Sequence, residues 1–152
     1  MKALLFIVVF GIANLKAADL ASQLAELGPA KEVIVEGNVI LNNPARDNRE
    51  LKYKTEDSSK IAAMIKWIRQ IPCEEALYRF HGKMPALGSP EAIEFRFIGR
   101  DGTEHSVGIV RKQLIIVDID RAFLTHGWVR IDFRPLFEIM KDLKMDSNKT
   151  GK

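Results

Sequence analysis

Cys73 is the sole cysteine, so any thiol chemistry must run through it, with His81, His105 or His126 as its base. A reactive thiol needs a lowered pKa, supplied by an imidazolium or a helix N-terminus. Glu74 and Glu75 follow it directly, and two carboxylates beside a thiol disfavour the thiolate. No known nucleophile signature surrounds it, and the residue reads as an inert structural thiol. The three histidines form no metal signature either. Zinc sites place ligands in close pairs, such as two histidines four apart on one helix face. Here each histidine stands alone, His81 and His126 beside glycines and His105 at a strand start.

Asp118 and Asp120 are the remaining candidates. On a strand they alternate onto one side, with Arg121 next and His126 further on. Paired carboxylates can hold a hard cation or divide acid and base roles. The same residues are equally an ordinary polar strand end with local ion pairing. There is no glycine-rich phosphate loop and no Gly-x-Ser-x-Gly elbow. The sequence therefore predicts a non-catalytic protein with no cofactor and no metal.

Several elements would have to position these residues. Leu20, Leu24 and Leu27 mark a short helix closed by Gly28-Pro29. Val33–Val35 and Val39–Leu41 are β-rich clusters around Gly37-Asn38, read as one bulged strand or a tight hairpin. Residues 42–48 read as a loop. Asp57, Ser58 or Ser59 can cap a helix carrying Ile61, Met64, Ile65, Ile68 and Ile71 on one stripe, stopped by Pro72. Trp67 lies at the edge of that stripe, placed to seal the core.

From Ile93 the period changes to two, with Phe95 and Phe97 alternating with Glu94 and Arg96. Asp101-Gly102 predicts a hairpin turn and Arg111–Gln113 a second turn lacking glycine. Leu114–Ile119 reads as a central strand and Trp128–Ile131 as the last. Asp132 is expected to cap a C-terminal helix with Pro135 in its first turn. The expected fold is α+β: a two-layer sandwich in which an antiparallel sheet of about 4–5 strands carries two amphipathic helices on one face.

The chain's start resembles an export leader. Met1-Lys2 is basic, residues 3–13 are almost wholly apolar, and Leu15-Lys16-Ala17-Ala18 offers small residues for cleavage. As a helix the apolar run from Ala3 to Leu15 would reach only about 20 Å, against a hydrocarbon core of roughly 30 Å. The expected organisation is a cleaved signal peptide at 1–17, one globular domain at 18–145 and a disordered tail at 146–152. Removing Lys2 and Lys16 from 23 basic residues leaves 21 against 20 acidic ones, a net charge of +1. Such a domain has little long-range pull on nucleic acid or an anionic membrane, and neither is an expected partner.

These readings favour a periplasmic or secreted interaction domain of accessory, envelope or inhibitor type, whose partner is another exported or envelope protein. The expected contact residues are Met84 and Leu87, in a loop rich in glycine and proline, with Glu94, Arg96, Trp128 and Arg130. An exported hydrolase or metal-dependent enzyme using Asp118, Asp120 and His126 is the competing class. A third is a module for a small ligand or glycan, with Trp67 or Trp128 as a stacking platform.

Overall fold

In the computed structural model, alternation of apolar residues along β1 (Ala30–Ile40) sets the architecture. Val33, Val35, Gly37 and Val39 are buried, while the residues between them are only half-buried. One face of an antiparallel sheet is thereby committed to a core. The structure describes residues 20–25, 29–40, 48–76, 91–118 and 121–141. Within them run α1 (Leu20–Ala25), β1, β2 (Asn48–Thr55), α2 (Ser58–Arg69), β3 (Cys73–Ala76), β4 (Ala92–Gly99), β5 (Glu104–Val110), β6 (Leu114–Val117), β7 (Arg121–Thr125) and α3 (Arg134–Ile139). The leader, the 146–152 tail, Met84, Leu87, His81 and Asp120 lie outside the described residues.

The class is α+β, but the sheet has seven strands in the order β2-β1-β4-β5-β6-β7-β3, every neighbour antiparallel, and three helices accompany it. The expected 4–5 strands and two helices fall short for local reasons. β2 reads Asn-Arg-Glu-Leu-Lys-Tyr-Lys-Thr, a charged edge strand with little apolar alternation. β3 is four residues long and carries Glu74 and Glu75. β7 falls in residues taken as a connection, and Trp128–Ile131 is not a strand: a one-turn 3-10 helix, His126–Trp128, precedes extended chain.

Gly37-Asn38 lies inside a single strand, where Gly37 pairs with Leu51 on one side and Ile93 on the other. A Cβ at Gly37 would lie 2.8 Å from the Cα of Ile93 and closer still to the carbonyl oxygen of Ala92. The glycine permits close approach of β4 rather than a turn. The two expected turns are present. Gly102 takes φ +85°, with Asp101 accepting from the Thr103 amide at 3.0 Å. The second turn uses left-handed Arg111 and Lys112, at φ 52° and 59°.

Asp57 caps α2 by accepting from the Ser59 amide at 2.8 Å, and the Ser59 hydroxyl bond is the main reason its carboxyl lies below the ordinary value. The helix buries Ile61, Met64 and Ile68 over the sheet. α3 adds Leu136 and α1 adds Leu20 and Leu24. Trp67 sits between Phe95 and Phe133, with ring centroids 6.2 and 5.9 Å away, and closes the core as its place on the stripe suggests.

The opposite face of the sheet is divided. Across β2, β1 and β4 it is charged: Arg96 bonds Glu36 at 3.1 Å and Lys54 pairs with Glu32 at 2.6 Å. Across β6 and β7 it is apolar, with Ile116 opposite Ala122 and no exposed surface on Ile116.

Candidate functional site

The most unusual local structure follows β7. Thr125 ends the strand, Gly127 takes a left-handed backbone at φ 61° and Trp128 does the same at φ 59°. Glycine accepts that conformation freely, whereas for a bulky side chain it costs energy. The chain then extends through Val129, and Ile131 and Phe133 return to the core. The result is a corner that points two adjacent apolar residues outward. Trp128 is 66% exposed and Val129 64%, and these are the exposed large hydrophobics among the described residues.

The corner is held on every side. The His126 amide donates to the Pro72 carbonyl at 3.1 Å, and the Gln113 side chain donates to the Trp128 carbonyl. The Ile131 amide donates to the Lys112 carbonyl at 2.7 Å. Arg130 donates to Glu91 at 2.7 and 2.8 Å. Asp132 accepts from both the side chain and the amide of Arg134, which hold its carboxyl below the ordinary value. An exposed apolar pair on such a frame is presented without the ordering cost of a loose loop.

Beside the corner lies a hollow of about 220 Å³, lined chiefly by Trp67, Ile71, Pro72, Thr125, Val129 and Ile131. The polar side chains Gln70, Arg130 and Asp132 complete its walls. Thr125 is only 5% exposed, and its hydroxyl oxygen has no hydrogen-bond partner among the described residues. Buried hydroxyls almost always find a partner, so this one is an exception that needs a reason.

The expected contact residues are dispersed. Trp128 is in the corner, but Arg130 is engaged with Glu91 instead of standing free. Glu94 and Arg96 lie on the sheet face away from the helices. Burial is the main cause of the raised Glu94 pKa, only partly opposed by Arg96, while Glu36 and Glu104 raise it further. Val129 and Thr125 did not stand out in the sequence. The signal for Thr125 was its place two residues after Phe123, on the inward side of β7.

The competing catalytic set is not assembled by the described residues. Asp118 accepts from the Ser106 amide at 2.7 Å and lies 2.9 Å from His105 Nδ1. It precedes β7, whereas His126 follows it, and the five residues of that strand span roughly 17 Å. Cys73 lies half-buried on β3 opposite Thr125, while His126 is exposed. Among the described residues, no three or more His, Cys, Asp or Glu side chains gather in a way that could hold a metal ion. No described helix is long and apolar enough to cross a membrane. The chain matches no protein-family model, no curated protein and no solved structure.

Proposed function

We propose that this protein is a small exported domain that binds another exported or envelope protein through the Trp128–Val129 corner. The observation that carries this reading is an exposed tryptophan held in a left-handed conformation by tethers on both sides. Backbone strain of that kind persists only where the surroundings impose it, and it concentrates at functional positions. Tryptophan is also the residue most favoured as a binding anchor. Export is supported by the leader-like start and a near-neutral remainder, which has no electrostatic preference for polyanions.

A small-ligand site is the weaker reading. Ligand pockets commonly run from about 300 to 1,000 Å³, and the hollow beside the corner falls below that range at about 220 Å³. Trp67 is already packed against Phe95 and Phe133 and offers no free ring face comparable to that of Trp128.

The test is affinity capture from envelope and culture-medium fractions of the host, with mild cross-linking. The tagged protein is expected to recover one dominant protein in near-equal amount, and Trp128→Ser is expected to lose it. Equal recovery by the variant, or no stoichiometric protein with the wild type, overturns the reading.

A further inference from the structure

We infer that residues 77–90 of this chain dock on the outer apolar half of the sheet and bury it, so that Met84 and Leu87 serve the fold instead of a partner. Strand register defines the surface. Val110, Leu114 and Leu124 form one cross-strand row, and Gly108, Ile116 and Ala122 the next. Ile116 has no exposed surface and Ala122 only 1%. Neither belongs to the core cluster on the inner face. The three α-helices lie on that inner side, where Leu24, Met64 and Leu136 join the cluster. No described α-helix is left to bury the outer rows, and their cover comes from elsewhere in the chain.

Topology selects the occupant. Four antiparallel steps separate β3 from β4, so these two strands run parallel. Residues 77–90 connect them and must cross the sheet, because a hairpin joins only antiparallel strands. β2 and β3 are parallel too, and α2 joins them across the inner face. That connection travels from the β2 edge to the β3 edge, and the next one travels back. Crossovers are almost always right-handed, and two of one hand running in opposite directions use opposite faces. The return path therefore belongs to the outer face. Its ends frame the patch: Ala76 pairs with Ala122, and Ala92 with Val110. Four strand spacings amount to about 19 Å, well within the reach of such a segment. Leu77, Tyr78, Phe80, Met84 and Leu87 supply the apolar side chains, whereas residues 41–47 and 142–152 are mostly polar.

Two measurements decide it. Methyl NOE spectroscopy on the full chain is expected to link the Ile116 and Leu124 methyls to side chains of residues 77–90, Phe80, Met84 or Leu87 among them. Links to residues 3–13 instead, links only between differently labelled copies of the chain, or none at all, each overturn the proposal. The second measurement separates cover from partner contact. Leu87→Asp is expected to lower the urea midpoint by about 1 M, since it sets a charge against a buried apolar face. A variant that fails to fold supports the same conclusion. An unchanged midpoint, with or without loss of a captured protein, returns Leu87 to an exposed position and overturns the cover.

Discussion

One guanidinium nitrogen of Arg130 straddles both oxygens of Glu91, at 2.8 and 2.7 Å. Glu91 stands immediately before β4, so the pair ties the chain beyond the Trp128 corner to the middle of the sheet. The Glu91 side chain is only 14% exposed and also faces Lys112 at 3.5 Å. Most surface pairs contribute under about 1 kcal/mol, but one acid serving two cations in a half-buried place is worth more than either contact alone. Glu91→Gln is expected to lower stability by about 1 kcal/mol in urea unfolding and to broaden the Trp128 fluorescence. An unchanged midpoint with an unchanged spectrum would show that the corner stands without this tether.

Thr125 gives a prediction of opposite sign. Its hydroxyl is buried and has no partner among the described residues, and Thr125 shares the inward side of β7 with Phe123. Leaving such a group unsatisfied costs about 1–3 kcal/mol. Valine keeps the shape and removes the polar atom. Thr125→Val is therefore expected to raise stability by about 1 kcal/mol in chemical denaturation. A loss of stability would mean that the hydroxyl is satisfied after all.

Gly37 tests the packing of the central strands. A methyl there would meet the backbone of Ala92 and Ile93, which cannot swing aside as a long side chain can. Its φ of +148° is also unfavourable for alanine. Gly37→Ala is expected to cost about 3 kcal/mol or more, combining overpacking with backbone strain. Thermal unfolding of the purified variant measures it. A shift of only a degree or two would mean that β1 and β4 separate easily.

The same residue shows why part of the fold was hidden from the sequence. Glycine followed by asparagine signals both a turn and a close approach, and only the neighbouring strand decides between them. Alternation exposed β4 because Ile93, Phe95 and Phe97 bury one full face. It could not expose β2, where Leu51 is the only fully buried side chain among Leu51–Thr55. The site was less legible than the fold. Trp128 stood out by type, but its exposure comes from two successive left-handed residues that broke the expected strand. Val129 and Thr125 acquire meaning only beside Trp67 and Ile131, which reach the hollow from α2 and from the chain before α3.

Glu94 makes stability depend on pH in a defined direction. Burial chiefly, with Glu36 and Glu104 adding repulsion, raises its carboxyl pKa above the ordinary value of 4.5, against the pull of Arg96. A carboxyl that ionises later in the folded protein than in the unfolded chain binds more protons when folded. Stability is then lost as pH rises from the unfolded value through the folded one. Glu94→Gln is expected to stabilise the protein at pH 7, and the gain should vanish below the ordinary carboxyl range. Denaturation midpoints at pH 3 and pH 7 measure the difference. A gain that is the same at both, or a loss at pH 7, would show that the Arg96 attraction outweighs the burial.

Trp128 should show opposite effects on stability and binding. In its left-handed conformation a non-glycine residue carries roughly 1–2 kcal/mol of strain, and its 66% exposure returns little of that through burial. Asparagine tolerates this backbone far better, because its short polar side chain bonds locally. The main-chain bond from Gln113 to the residue-128 carbonyl is independent of the side chain and should survive the change. Trp128→Asn is therefore expected to hold or raise stability by about 1 kcal/mol while abolishing partner capture. Thermal unfolding and capture from the same preparation measure both quantities. A variant less stable by a kilocalorie or more would mean that the indole supports the fold, removing the main reason for assigning it to a partner.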